Sequence, residues 1–541
     1  MNERDAAGNR ANESSARGET TVRLAEIVAA LSLATDLGTG HPIERSLRSC
    51  LLALHFADTL NLPATTLRAV YYVALLRWVG CTADTHRGDI FGDEIALGPR
   101  IDSVELWNQP EMLGFLWRVV GAGEPPLRRA HSLGGALASG IQRSRIAAVA
   151  HCEVAQQIAG RLGLDRGIRA ALGQIFERWD GRGVPGQTRG DDLDLAVRIV
   201  HIAMDAELFA RLGGPGAVQA VIQRRTGTTY DPVLAERFSQ AAPRLLPLLD
   251  ESAIWDRVLA AEPGGQPRLT AAQLDAALHA IADFSDLRSP STVGHSPAVA
   301  ILAETAARVW NLPAADVAAA RRAGFVHDVG MLGVPINLCE RPGPLSVFEW
   351  DRLKLHPYYT DRILDRTPQL RHLGTLAALH HERLDGSGYH RGLSAPLLPA
   401  VARLLAAADV YQALTESRPH RPARTPAEAA TELRGEVRAG RLDGDAVAAV
   451  LAAAGHRTRR ISHERVAGLS DREIEVLRLL ARGGANRQIA RALNISERTV
   501  DHHIRHIYAK IGVSTRSAAT LFTAQHGLLD DRTAAPEPTE K

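Results

Sequence analysis

Apolar residues recur at three- and four-residue spacing along most of this 541-residue chain, on an Ala/Leu/Arg-rich background, and that period predicts helix. Strand signals are few. Alternation is rare, aromatic residues make up only 5% of the composition, and no Asn-Gly turn joins two β-branched runs. The pattern therefore predicts an all-α architecture. Polar and Gly/Pro punctuation divides it. Residues 1–21 and 531–541 read as disordered tails, and Glu262-Pro263-Gly264-Gly265-Gln266-Pro267 marks a linker over 251–270. Between these breaks lie helical domains over 22–250 and 271–456 and a smaller unit over 463–530.

Composition narrows the setting. A hydrophobic share of 45% over this length is enough to bury the cores of about three or four domains. The net charge of +2 averages over the chain and selects no partner. Four cysteines, Cys50, Cys81, Cys152 and Cys339, are scattered without a CxxC pair, which argues against a disulfide framework. No apolar run approaches the ~18 residues that span a bilayer, and the first residues lack a signal-peptide apolar region. The expectation is a cytoplasmic protein without membrane contact.

The second helical domain carries the chemistry. His295, the pair His327-Asp328, His356, the doublet His380-His381 and Asp409 form a mixed imidazole and carboxylate set. Such a set suits two adjacent divalent cations, Mn or Fe first and Zn as the alternative, because these ligands select against soft-metal sites. Two cations side by side can polarise a phosphoryl oxygen and acidify a water, the equipment of phosphoester hydrolysis. The surrounding words are His327-Asp328-Val329-Gly330-Met331, His356-Pro357, His380-His381-Glu382-Arg383-Leu384-Asp385-Gly386-Ser387-Gly388-Tyr389 and Asp409 followed by Arg418 and Arg421. Together, over roughly 285–456, they resemble the HD-GYP phosphodiesterases of the HD superfamily, which open cyclic di-GMP. The resemblance implies that Asp328 bridges two metals, that His327 and Asp328 form the catalytic heart, and that Arg418 and Arg421 hold phosphates. It also exposes departures. Met331 stands where the family usually has Lys, His390 replaces the Pro of the Gly-Tyr-Pro triplet, and Gln412 replaces an Asp. Ser291 stands where three-metal members carry Glu, so two metals are expected.

The first domain echoes the second. Asn61-Leu62-Pro63-Ala64 leads to Arg77-Trp78-Val79-Gly80 as Asn311-Leu312-Pro313-Ala314 leads to His327-Asp328-Val329-Gly330. The same comparison sets His151 on His356, Ile175-Phe176 on His380-His381, Asp205 on Asp409, and gives His41 the part of His295. Arg77, Trp78, Ile175 and Phe176 cannot hold a divalent cation. The first copy is thus expected to be degenerate, its vacated centre filled by Trp78 and Phe176 as apolar bulk.

The last unit has its own grammar. Ser470 and Glu473 form a capping box, Asn486 opens a second helix, and Ser496 caps a third. In that third helix Val500, Ile504, Ile507 and Ile511 repeat at core spacing, leaving Arg498, Asp501, His502 and Arg505 on the other face. Residues 482–516 hold seven Lys/Arg against two acids, which favours phosphate contact. Two short helices with a polar second face fit the DNA major groove. The segment is similar to the DNA-binding domain of LuxR-type regulators through Leu469 to Leu477, Asn486-Arg487-Gln488-Ile489-Ala490, Ile495 to Val500 and Lys510 onward. That resemblance implies double-stranded DNA contact by Arg498, Thr499, Asp501, His502, Arg505 and Lys510, with Asp501 standing where the family has Lys.

These readings combine into one expectation: a homodimeric transcription regulator whose binuclear-metal domain hydrolyses a cyclic dinucleotide or related phosphoester. The alternative keeps the same pocket as a silent nucleotide and metal sensor that gates DNA binding.

Overall fold

The computed structural model describes residues 19–81, 93–105, 109–119, 125–455, 467, 469–526 and 528–529. The tail expectations for 531–541 and for most of 1–21 fall outside the described residues, whereas residues 19–21, expected as tail, belong to the strand Glu19–Arg23 because Arg268–Thr270 pairs with it. Almost everything described is helical, with a single two-stranded antiparallel sheet in which Glu19–Arg23 pairs with Arg268–Thr270.

Each copy opens with an apolar helix, Leu24–Gly38 in the first and Ala271–Asp286 in the second. Each of these helices ends near a buried carboxylate that clamps the next one. Asp36 accepts from the Ser46 backbone N–H at 3.0 Å and its hydroxyl at 2.6 Å, and Asp286 accepts from the same two groups of Ser296 at 2.8 and 2.6 Å. The clamped helices are Arg45–Asp58 and His295–Val309, and each follows a residue at positive φ, Glu44 or Gly294. Asn61 and Asn311 then take the left-handed conformation that stops a helix before Leu-Pro, and Ala64–Leu76 and Ala314–Val326 follow. The repeat read from the sequence is therefore also a repeat of caps and clamps.

Two glycines explain why chemistry and packing coincide at one turn. A Cβ on Gly330 would lie 2.0 Å from the carbonyl oxygen of His356, and one on Gly80 would lie 2.1 Å from that of His151. Only glycine lets the following helix approach this closely. In the second copy that approach carries His356, the first residue of helix His356–Leu364, onto Asp328.

The copies share one continuous core, with Leu37 of the first packed on Gly333 of the second, just beyond the His327-Asp328 turn. Residues 251–270, expected as a linker, are built into it. Ile254–Ala260 is a helix, and buried Glu262 accepts from Arg23 at 2.7 Å and from the Tyr72 hydroxyl at 2.8 Å. The three-residue strand here is too short to alternate, and its partner lies far away in sequence, so no local pattern announces it. The C-terminal module has a core of its own around Leu469, Leu477, Val500 and Ile507. Among the described residues no helix is long and apolar enough to cross a membrane, and all four cysteines are free thiols.

Candidate metal centre and nucleic-acid interface

The seven ligand-type residues of the second copy converge into overlapping groups: His295, His327 and Asp409; His356, His380 and His381; and His327, Asp328 and His380. They arrive from separate elements. His295 opens one helix, His327 closes another, His356 opens a third, the doublet follows Pro368–Ala377, and Asp409 lies in Ala400–Thr415.

Asp328 sits between the two nests. Its Oδ1 is 3.5 Å from His356 Nε2 and 3.4 Å from His380 Nε2, while its Oδ2 is 3.5 Å from His327 Nε2 and 3.9 Å from His295 Nε2. Asp409 divides likewise, with Oδ1 at 3.2 Å from His295 Nε2 and Oδ2 at 3.9 Å from His381 Nδ1. The imidazoles are aimed from behind. The Nδ1–H groups of His327, His356 and His380 donate to the carbonyls of Gly324, Leu353 and Ala377 at 2.8, 2.7 and 2.6 Å. Each bond fixes the tautomer that turns the Nε2 lone pair inward. His295 is held by Glu416, whose Oε2 lies 2.9 Å from its Nδ1.

Electrostatics suit a cation. Burial opposes the charge of Asp328, yet the surrounding His327, His380 and His356 hold it well below the usual carboxylate range. Asp409 is likewise held down against burial by His295 and His327. Burial, then the neighbouring His380, pushes His381 well below its ordinary value, and burial takes His356 to about 4, so both stay neutral ligands. His327 Nε2 and Asp328 Oδ1 are buried with no hydrogen-bond partner in the protein. Orphaned buried polar atoms of this kind require a further partner, and a divalent cation between acceptors supplies it. The donor set fits.

The other expected residues separate. Arg418 lies beside the site: its Nη2 is 2.9 Å from Glu416 Oε2 and 3.4 Å from His295 Nδ1, and its Nη1 donates to the Ser291 carbonyl at 3.3 Å. Arg421 is a correction. Its guanidinium donates to the carbonyls of Ala413, Leu414 and Glu416, closing the end of helix Ala400–Thr415. A guanidinium committed to three carbonyls there is a helix cap, not a free phosphate contact. Met331 lies half-buried on the short turn directly after Asp328. Ser291 accepts no ligand role; its hydroxyl and that of Ser289 meet Glu340. Sequence reasoning gave no role to Glu416, or to Tyr389 of the Gly-Tyr word, whose ring lies 4.6 Å from that of His381.

The first copy shows what replaced the metals. Arg45, not His41, stands where His295 stands, because Arg45 opens the clamped helix behind a positive-φ residue. His41 instead hydrogen-bonds Asp102 at 2.8 Å, and Arg45 makes an ion pair with the same carboxylate at 2.9 Å. Arg77 replaces His327 and donates to the Ile175 carbonyl at 2.6 Å. Trp78 is buried, but the guanidinium groups of Arg45 and Arg77 lie over its ring at 5.5 and 5.2 Å. Asp205 is met by Arg225 and Tyr230. The centre is thus not the apolar plug expected from Trp78 and Phe176. It is a charged pocket of about 100 Å³ in which fixed guanidinium charge stands in for a cation.

In the C-terminal module Ser470 and Glu473 form the capping box of helix Asp471–Ala481, and Asn494 ends Asn486–Leu493 in the left-handed conformation. In helix Glu497–Ile511, Val500 and Ile507 are buried while Arg498, Asp501, His502 and Arg505 are exposed on one face. Asp501 accepts from the Asn486 side chain. Two expected DNA contacts are partly engaged at home. Thr499 shares the cap of Ser496 at 2.7 Å, and Lys510 pairs with Glu473 at 2.7 Å.

Fold and site together define a helical domain with a cluster of residues that could hold metal, joined to a helix-turn-helix module. Residues 279–446 match the HD domain model and residues 467–523 match the luxR family of bacterial regulatory proteins, so the second copy is an HD domain and the last module a LuxR-type DNA-binding domain. Particular relatives sharpen this. The chain is 28% identical over 410 residues to the 3'3'-cGAMP-specific phosphodiesterase 3 of Vibrio cholerae, a match spanning 75% of this chain and 89% of that one. A stretch that long takes in the degenerate copy as well. It is 38% identical over 139 residues to a cyclic di-GMP phosphodiesterase of Pseudomonas aeruginosa, covering 26% of this chain and 34% of that one. A solved structure of a cyclic GMP-AMP specific phosphodiesterase from V. cholerae aligns with a TM-score of 0.56 at 26% identity, covering 80% of this chain and 97% of that one.

Proposed function

We propose that residues 271–456 hydrolyse a phosphodiester of a 3',3'-cyclic dinucleotide at a two-cation site, and that residues 463–530 make the same chain a DNA-binding regulator acting in the cytoplasm. The observation that carries the reading is the carboxylate of Asp328 facing an imidazole pair on each side. One cation would be held by His295, His327, Asp328 and Asp409, the other by His356, His380, His381 and Asp328. Mn or Fe fits this ligand set, and Zn is the alternative. Bound there, a pair of such ions supplies Lewis acidity and an acidified water.

The chain's own residues do the rest. Asp328 and Asp409 remain anionic and present oxygens to both sides. Glu416 accepts from His295 Nδ1–H and keeps its Nε2 pointed inward, while Gln412 donates to Glu416 at 2.8 Å. Arg418, at the rim beside His295, offers a guanidinium to a phosphate oxygen. Relatives named for cyclic GMP-AMP and for cyclic di-GMP both support a cyclic dinucleotide, so both belong in the first assay. Asp328→Ala decides the reading: metal content and turnover of both nucleotides should fall together, and unchanged metal content would sink it.

A second reading is favoured by Met331 and Arg421. With no Lys after the His-Asp turn and one arginine closing a helix, the site has fewer cationic contacts than the family usually brings. In that reading the pocket binds the nucleotide and signals without turnover.

For the DNA-binding half, a duplex selected from random sequence should be bound with steep salt dependence. Arg498→Ala should weaken that binding by about 1–3 kcal/mol, measured by titration at fixed salt. Pairing of two chains on an inverted repeat is the geometry that suits so small a module.

A further inference from the structure

Among its described residues the first copy shows no group of three metal-type ligands, yet it packs against the DNA-binding module. The module's last helix, Arg516–Gln525, packs against the long first-copy helix Pro126–Arg161 and against Ala271–Asp286. Leu521 of that helix is fully buried and belongs to the core of the tandem rather than to the module's own core. Glu153, two residues beyond His151, grips the turn that opens the helix. One of its oxygens accepts from the Ser514 backbone N–H at 2.8 Å and from the Ser514 hydroxyl, and the other from the Thr515 hydroxyl at 2.6 Å. Docked this way, the module still presents Arg498, Asp501, His502 and Arg505 to solvent.

The same docked module touches the segment that delivers the first metal ligand. A Cβ on Gly483 would lie 3.0 Å from the Pro290 ring, and one on Gly294 would lie 2.6 Å from Leu529 Cδ1. Leu529 is tied to the module by Arg482, which donates to its carbonyl at 3.0 Å. Gly294, at φ 84°, is the residue before His295, and the Ser291 carbonyl takes the Arg418 guanidinium at 3.3 Å. Residues 289–294 thus lie between the module on one side and His295 and Arg418 on the other.

We propose that the degenerate copy serves as the dock for the DNA-binding module, and that residues 289–294 couple the docked state to cation binding at His295. This rests on reading the second copy as a metal centre. The direction follows from chain entropy. A segment already braced by Leu529 and Gly483 loses less freedom when His295 is fixed by a cation than the same segment with the module released. Cation loading therefore favours docking, and by reciprocity releasing the module weakens the cation.

The test uses full-length protein and Mn²⁺ alone. Glu153→Lys places a cation against the Ser514 N–H and leaves every metal ligand and the module's core untouched; Leu521→Ala is the second undocking variant. Amide exchange across 516–525 reports docking, and equilibrium dialysis reports Mn²⁺ affinity. In the parent, Mn²⁺ should slow exchange across 516–525, and Asp328→Ala should abolish that effect. Each undocking variant should speed exchange there and weaken Mn²⁺ at least about fivefold. Released modules with parental Mn²⁺ affinity would overturn the coupling and leave the metal centre standing. A module that stays docked when Glu153→Lys and Leu521→Ala are combined in one chain would overturn the dock. A parent that binds no Mn²⁺ would instead remove the metal reading beneath both.

Discussion

His327-Asp328 and Arg77-Trp78 occupy the same turn of the same scaffold, and they differ in how positive charge is supplied. In the second copy imidazole lone pairs and two carboxylates face inward and ask for a cation. In the first copy the guanidinium groups of Arg45, Arg77 and Arg225 bring the charge covalently, and Asp205 is neutralised by Arg225. The clamps on Ser46 and Ser296 and the close approaches at Gly80 and Gly330 are the same in both. The lesson is that this scaffold depends on its clamps and close helix approaches, while the lining is free to exchange a removable cation for a permanent one.

The strongest way to break the comparison is to delete the central carboxylate on each side. Asp328→Ala should remove metal and take hydrolysis below detection, because even outer partners of metal ligands are worth about ten- to a hundredfold. Asp205→Ala should leave metal content unchanged, as elemental analysis of both proteins would show. If Asp205→Ala lost metal as well, the first copy would not be degenerate.

Stability gives the next effect. Trp78 is only 8% exposed beneath two guanidinium groups, so Trp78→Ala should cost about 3–5 kcal/mol in denaturant unfolding. A cost below about 1 kcal/mol would mean that the ring is not a packing element.

A smaller change sharpens the chemistry. Met331→Lys adds the cationic contact that the family pattern carries, and turnover should rise about tenfold, the worth of one charge-assisted hydrogen bond. No increase in a metal-replete protein that still binds the nucleotide would favour the sensor reading.

The smallest prediction tests what the copies share. Burial raises the carboxyls of Asp36 and Asp286 alike, each to about 7. An acid with a raised folded value stabilises the fold fully below its unfolded value of about 3.9, and that contribution is lost as pH rises towards 7. Asp36→Asn and Asp286→Asn should therefore gain on the parent in melting temperature as pH rises from about 4 to about 7, by a few degrees and equally in both copies, and hold that gain above it. A response in one copy only would show that the clamps are not equivalent.

Much of the second copy is legible in the sequence, because its ligands come as doublets inside fixed words, and His327-Asp328 and His380-His381 announce themselves. The helix-turn-helix was legible for a local reason: Ser470, Glu473 and Ser496 cap within three residues of themselves. What was not legible depends on partners distant in sequence. His41 was matched to His295 by residue type, whereas the register is set by Asp36 gripping Ser46, which places Arg45 there instead. Arg421 reads as a phosphate contact until the end of its neighbouring helix supplies three carbonyls. Glu416 has no spacing signature at all. The strand at Arg268–Thr270 exists only because Glu19–Arg23 comes alongside.

The continuity of the core across both copies has a consequence for how the molecule came to be and how it melts. Leu37 packs on Gly333, and one buried apolar cluster draws side chains from both copies, from Val22 in the first to Val450 in the second. Because the two copies share that interior, they are expected to unfold as one unit. Heat or denaturant should carry both through one shared transition, and a duplication fused this way can drift in sequence but cannot be excised. The first copy can do without a ligand set of its own; it cannot be cut away.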